Sequence, residues 1–171
     1  MVIFDLDQTL ADTSVVADLR KSRRWGEVMS HVPSMQIYAG INELIAELHR
    51  REVSLAIVTK SPDMIPKAFA KHHGWPITNI VGYHHVKQRK PHPEGLLLAM
   101  RNAGADPTKV CHVGDLAEDT AAARAAGVLA LGAAWGCEDL NSLVASSPDR
   151  LVDSVEDLSE FLLNRYRMAK S

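Results

Sequence analysis

The chain begins MVIFDLDQTLADT, where two aspartates, Asp5 and Asp7, follow directly on Val2, Ile3 and Phe4. Apolar β-formers without polar alternation predict a strand buried on both faces, as in parallel sheets. Carboxylates at the end of such a strand are costly to desolvate unless something binds them. Further along, Thr59 follows the apolar run LAIV, and Gly114 and Asp115 follow VCHV, with Asp119 in the next turn of sequence. Lys90 stands between these groups in RKPHPE. Carboxylates and a lysine of this kind are suited to acid, base or nucleophile work once their charge is offset.

The elements that must carry them are legible as alternating apolar runs and amphipathic segments. VIFDL, VSLAIVT, NIVGY, KVCHVGD and VLALGAAW read as strands. INELIAELHRRE, with Ile41, Leu44, Ile45 and Leu48 at helical spacing, reads as a helix, as do PDMIPKAFAKHH, PEGLLLAMRNAG, AEDTAAARAAG and the closing SVEDLSEFLLNRYRM. Strands alternating with helices over short loops predict a doubly wound, Rossmann-like α/β fold with a mainly parallel sheet. In such folds ligands bind beyond the carboxyl ends of the strands. Asp5, Asp7, Thr59 and Asp115 all fall at that edge. Residues 13–39 interrupt the alternation and read as a small helical insert, one helix and an irregular return, over the strand ends of a single domain spanning 1–171.

Bulk properties narrow the field. A chain of 171 residues suffices for one domain with a substantial core. A net charge of -2 supplies no global field for nucleic acid or membrane. Cys111 and Cys137 lie outside any CxxC pair or cysteine-rich framework, which predicts reduced thiols and a cytoplasmic protein. The pairs His72-His73 and His84-His85 are adjacent rather than one helical turn apart, so they do not predict a metal site.

In these residues the chain resembles the haloacid dehalogenase-like (HAD) phosphohydrolase superfamily. The superfamily's DxDxT motif is matched by Asp5, Asp7 and Thr9, its strand-ending Thr or Ser by Thr59, its lysine by Lys90 before Pro91, and its GDxxxD by Gly114, Asp115 and Asp119. The resemblance spans nearly the whole chain and implies a Mg²⁺-dependent phosphomonoester phosphatase. It implies that Asp5 attacks phosphorus to form an aspartyl-phosphate, and that Asp7 protonates the leaving oxygen and then activates water. Thr59 and Lys90 would bind the phosphoryl group, and Asp119 would orient Lys90 or a metal-bound water. Asp5, Asp115 and the main-chain carbonyl of Asp7 would hold Mg²⁺, a cation that prefers hard oxygen ligands. Asp7 argues against dehalogenation, whose branch lacks a second aspartate. Gln8 departs from the glycine that many capped relatives carry.

Two further features bear on the substrate. Arg20, Lys21, Arg23 and Arg24, beside Trp25, form a basic and aromatic cluster in the insert. From Lys67 to His92 there are five Lys or Arg, five His and no Asp or Glu. Arg23, Arg24 and Trp25 are therefore candidate substrate contacts. The expected partner is a phosphorylated small molecule, with no membrane association; a nucleic-acid-end phosphatase and a non-catalytic phosphate-binding regulatory module are the alternatives. An oligomer that closes the site is also compatible with so short an insert.

Overall fold

The computed structural model describes residues 1–167. Its elements run β1 (Val2–Phe4), β2 (Ala11–Asp12), α1 (Ala17–Lys21), α2 (Trp25–His31), β3 (Gln36–Ile37), α3 (Ile41–Arg50), β4 (Leu55–Val58) and α4 (Met64–His73). There follow β5 (Asn79–Val81), α5 (Glu94–Ala103), β6 (Cys111–Gly114), α6 (Ala117–Ala126), β7 (Leu129–Ala133), α7 (Leu140–Ala145), β8 (Arg150–Val152) and α8 (Val155–Arg165). Six strands form one sheet in the order β5-β4-β1-β6-β7-β8, every neighbouring pair parallel.

Alternate residues of β1 feed opposite faces of this sheet. Val2 and Phe4 join a core with Leu44, Ile45, Leu48 and Phe69, whereas Ile3 joins a second core with Leu96, Ala99, Met100, Ala122 and Ala123. Both faces are dry, which is why the run carries no polar alternation. The small side chains of α6 let that helix lie close against the sheet.

Because β1 lies between β4 and β6, the chain winds outward from it in both directions. The crevice at the carboxyl ends of these strands is therefore the expected ligand position.

Four parts of the chain differ from the sequence expectation. The helix α7 and the strand β8 were not foreseen: α7 has only six residues and β8 three, with Arg150 exposed on the sheet's edge, so neither is long enough to repeat its period. The terminal helix ends at Arg165, and the predicted last position, Met168, lies outside the described residues. The segment 13–39 contains two short helices rather than one. α1 stops at Ser22 and Arg23 takes a left-handed φ of 56°, which turns the chain before α2. The ends of this segment are tied by the antiparallel pair β2 and β3.

Candidate active site

At the carboxyl end of β1 the backbone turns sharply: Leu10 N and Ala11 N both donate to Leu6 O. Asp5 is held at the strand end, where its amide donates to Val113 O on β6 (2.9 Å). Lys90 reaches in from the loop before α5. Its Nζ donates to Asp119 Oδ1 at 2.6 Å and lies 2.8 Å from Asp5 Oδ1. All three residues are buried, and Asp115 with them. One carboxylate oxygen from each of Asp5, Asp115 and Asp119 falls within 4.8 Å of the others.

Asp119 is fully occupied. Its Oδ1 meets Lys90 and His112 Nε2 (3.1 Å), and its Oδ2 accepts from Leu116 N (3.1 Å). His112 Nδ1 lies 3.2 Å from Ile3 O, so the ring is fixed at both ends. By contrast, among the described residues' side chains Asp115 accepts from Thr9 Oγ1 alone (3.2 Å).

The charges follow from this packing. Burial pushes Asp119 up, but Lys90 and His112 outweigh it and hold the carboxyl well below its usual range. Burial pulls the Lys90 ammonium down, yet Asp119 and Asp5 overcome it and keep the group protonated throughout the ordinary pH range. Burial first, then the like charges of Asp119, Asp7 and Asp115, push Asp5 well above normal despite Lys90. Asp115 is pushed up to about 7 by burial and by Asp119. One lysine thus cannot offset the buried acids, and the oxygen donors left over suit a hard divalent cation. Asp5 and Asp115 are the free donors, with the Asp7 carbonyl beside them in chain order.

Asp7 points to a different set of partners. Thr13 Oγ1 (3.0 Å), Ser61 Oγ (3.1 Å) and Thr59 Oγ1 (3.4 Å) donate to its carboxylate, and Arg20 Nη2 lies 2.8 Å from Oδ2. Arg20, from α1, brings the segment 13–39 directly onto the acid pair. Thr59 also accepts from Ser61 N (3.0 Å). These groups open on a cleft of about 280 Å³ whose wall includes Asp5, Asp7, Arg20, Lys60, Lys90 and Asp115. A larger hollow of about 670 Å³ begins at Leu55 and Asn79, the opposite ends of β4 and β5, and contains no comparable convergence of charge.

Gln8 adopts a left-handed φ of 58°, the conformation in which glycine costs least. Its side chain offsets that cost by accepting from Tyr38 Oη (3.2 Å) and Thr13 N (3.3 Å). A Cβ on Gly136 would sit 1.9 Å from Gln8 O, so the loop after β7 is pressed against this turn.

The structure thus places Asp5, Asp7, Thr59, Lys90, Asp115 and Asp119 at one strand edge. Among the candidate substrate contacts, Arg23 and Trp25 line a neighbouring hollow, while Arg24 is exposed and pairs with Glu27 (2.5 Å). Arg20, Ser61, Thr13 and His112 touch the acids without having been singled out individually for these contacts. Only Arg20, in its basic cluster, gave any local signal.

A family model described as "Haloacid dehalogenase-like hydrolase" matches residues 16–133. The chain belongs to this family. Among curated relatives, "Probable phosphatase IndB" of Dickeya dadantii is 33% identical over 134 residues, which is 77% of this chain and 58% of the relative. A phosphoglycolate phosphatase of Salmonella paratyphi A is 30% identical over 157 residues, 90% of this chain and 62% of the relative. The chain therefore spans about six tenths of the length of these relatives. A crystal structure of a hydrolase from Pseudomonas syringae shares the fold, with a TM-score of 0.78 at 20% identity over 95% of this chain and 97% of the other.

Gly114 shows how tightly the haloacid dehalogenase-like site is built. A Cβ there would meet Asp119 Cγ at 2.2 Å. Gly114→Ala is expected to displace Asp119 and Lys90 with it, costing about 1–3 kcal/mol of stability and roughly a hundredfold in any turnover. Thermal melts and kinetics on the same preparation check this; a variant matching wild type in both would mean that Asp119 can move freely.

Proposed function

We propose that this chain is a Mg²⁺-dependent phosphatase acting on small phosphomonoesters through an aspartyl-phosphate. The observation that carries the reading is the buried Asp5–Lys90–Asp119 chain, with Asp115 beside it and Asp7 on the wall of the same cleft. Asp5 is the nucleophile: its carboxylate oxygen forms the bond to phosphorus as the ester oxygen leaves. Asp7 gives its proton to that leaving oxygen, then takes one from the water that releases phosphate. Lys90 offsets charge on Asp5 and on the phosphoryl oxygens, Asp119 fixes Lys90, and Thr59 donates to a phosphoryl oxygen. When bound, Mg²⁺ supplies further neutralisation and helps orient the phosphoryl group; Asp5, Asp115 and the Asp7 carbonyl would hold it. Residues 1–171 form a single domain in this reading, with 13–39 as its cap.

Family membership and the phosphatase names of the curated relatives support the reaction class. Among the described residues no helix is long and apolar enough to cross a membrane.

Two measurements test the reading. Phosphate release from a panel of phosphomonoesters should require Mg²⁺ and stop with EDTA; turnover equal in both would sink the metal assignment. The second concerns pH. Without metal, burial and Asp119 hold Asp115 at about 7 in the folded chain, above the ordinary aspartate value of 3.8, so the folded chain holds more protons and this group favours folding less as pH rises between those values. Mg²⁺ must displace that proton. Mg²⁺ should therefore raise the melting temperature more at about pH 8 than at about pH 6, with proton release on binding. An equal shift at both would remove Asp115 from the ligand set.

A further inference from the structure

Beside the acid cleft lies a second hollow of about 120 Å³, lined by Arg23, Trp25, Pro62, Tyr83 and His84. Two features distant in sequence meet there: the basic cluster at 20–25, and the stretch 67–92 that contains no acid. One residue between them bonds to the walls of both. Ser61 donates to Asp7 Oδ2 and accepts from Tyr83 N (2.9 Å), and Pro62 follows it. The wall of this hollow is thus hydrogen-bonded to the residue that also donates to Asp7, the acid that serves the leaving oxygen in the proposed function.

The walls are suited to a flat ring. Arg89 covers the Tyr83 ring, its guanidinium carbon 3.5 Å from the centroid, and His84 stands edge-on to Tyr83 at 5.0 Å and 78°. Tyr83 is thus braced from behind. Trp25 packs partly against the core and gives part of its surface to the hollow. Arg23 is exposed at the same place, and the adjoining Asp63 is tied to Lys67 (2.5 Å), leaving cations dominant. Aromatic faces with a nearby guanidinium favour stacking and cation–π contact, which a short hydroxy acid cannot use. A heterocycle edged with hydrogen-bond acceptors can use both the faces and the cation.

We propose that this hollow is a ring-binding subsite, which makes the preferred substrate a nucleotide, free or at a strand end. The inference rests on the phosphatase reading above, with Asp7 serving the leaving oxygen.

The test compares kcat/KM for a 5′-mononucleotide, a 5′-phosphorylated oligonucleotide, an aryl phosphate and ring-free phosphoglycolate, in wild type, Trp25→Leu and Tyr83→Ala, each checked for folding by circular dichroism. The nucleotide should exceed phosphoglycolate by at least about tenfold, and each variant should cut that ratio about tenfold, mainly through KM. Turnover of the oligonucleotide comparable to the mononucleotide sustains the subsite and assigns strand ends; turnover of the mononucleotide alone sustains it and assigns free nucleotide. Preference for the aryl phosphate, or a ratio that neither variant moves, overturns it. Should no ester be hydrolysed, the phosphatase reading fails separately. Calorimetric titration of the mononucleotide with Mg²⁺ then decides: binding weakened about tenfold by Trp25→Leu sustains the subsite, and absence of binding overturns it.

Discussion

Asp5→Asn should reduce phosphate release by roughly four orders of magnitude, to the background of the assay, while leaving the fold intact. The asymmetry comes from the charges around Asp5. Burial and three neighbouring acids already disfavour its ionised form. An amide of nearly the same shape removes that burden. Lys90 keeps Asp119 at 2.6 Å, so no buried cation is stranded. The amide cannot act as the nucleophile, however, and it is a poorer metal ligand. Kinetics with Mg²⁺ beside a thermal melt separate the two effects. Activity within about tenfold of wild type would disprove Asp5 as nucleophile; an inactive wild type that still binds Mg²⁺ would favour the regulatory module.

How much of this was readable from sequence depends on whether the signal was local. Asp5, Asp7, Thr59 and Asp115 could be placed at one edge because each ends an apolar run, and parallel topology aligns such ends. Lys90 and Asp119 needed the resemblance, since nothing local links a lysine before Pro91 to a carboxylate on α6. Their 2.6 Å contact exists only because β1 and β6 are neighbours and the loop before α5 folds back over them. His112 sits inside an apolar strand and reads as an ordinary β residue until its two ring nitrogens are seen to span Ile3 O and Asp119. Ser61 was hidden for another reason: one position beyond Lys60, its hydroxyl turns to Asp7 through a loop geometry that no periodicity encodes. The pressure of Gly136 on Gln8 is likewise invisible in either segment alone.

Arg20 illustrates the limit most clearly. Within RKSRRW its neighbours look equivalent, and charge alone cannot rank them. The turn at Arg23 sorts them by direction: Arg20 faces Asp7, Arg23 the ring-lined hollow, and Arg24 solvent and Glu27. The segment 13–39 thereby touches Asp7 with two side chains, Thr13 and Arg20, and the neighbouring cavity with Arg23 and Trp25, which under the proposed function is how so short a cap would influence substrate choice.

Lys90→Met should be the most destabilising single change at the site. Lys90 is buried, and removing it strands Asp5 and Asp119 without their shared cation. Breaking a buried pair from one side costs about 3–5 kcal/mol, which for a chain of this size lowers the melting temperature by roughly 6–20 °C. The pH dependence identifies the cause. In wild type the depressed pKa of Asp119 favours folding above its unfolded value and loses that contribution as pH falls through the folded one, so acid destabilises. Without Lys90 the chief cause of that depression is gone, and acid should instead relieve the variant by protonating the stranded carboxyls. The gap in melting temperature between wild type and Lys90→Met should accordingly narrow as pH is lowered from about 8 to about 5, and Mg²⁺ should narrow it further by returning positive charge to Asp5. A gap that stays constant with pH would assign the loss to packing of the lysine stem. Turnover should fall with the charge in either case, because under the proposed function Lys90 offsets charge on both Asp5 and the phosphoryl oxygens.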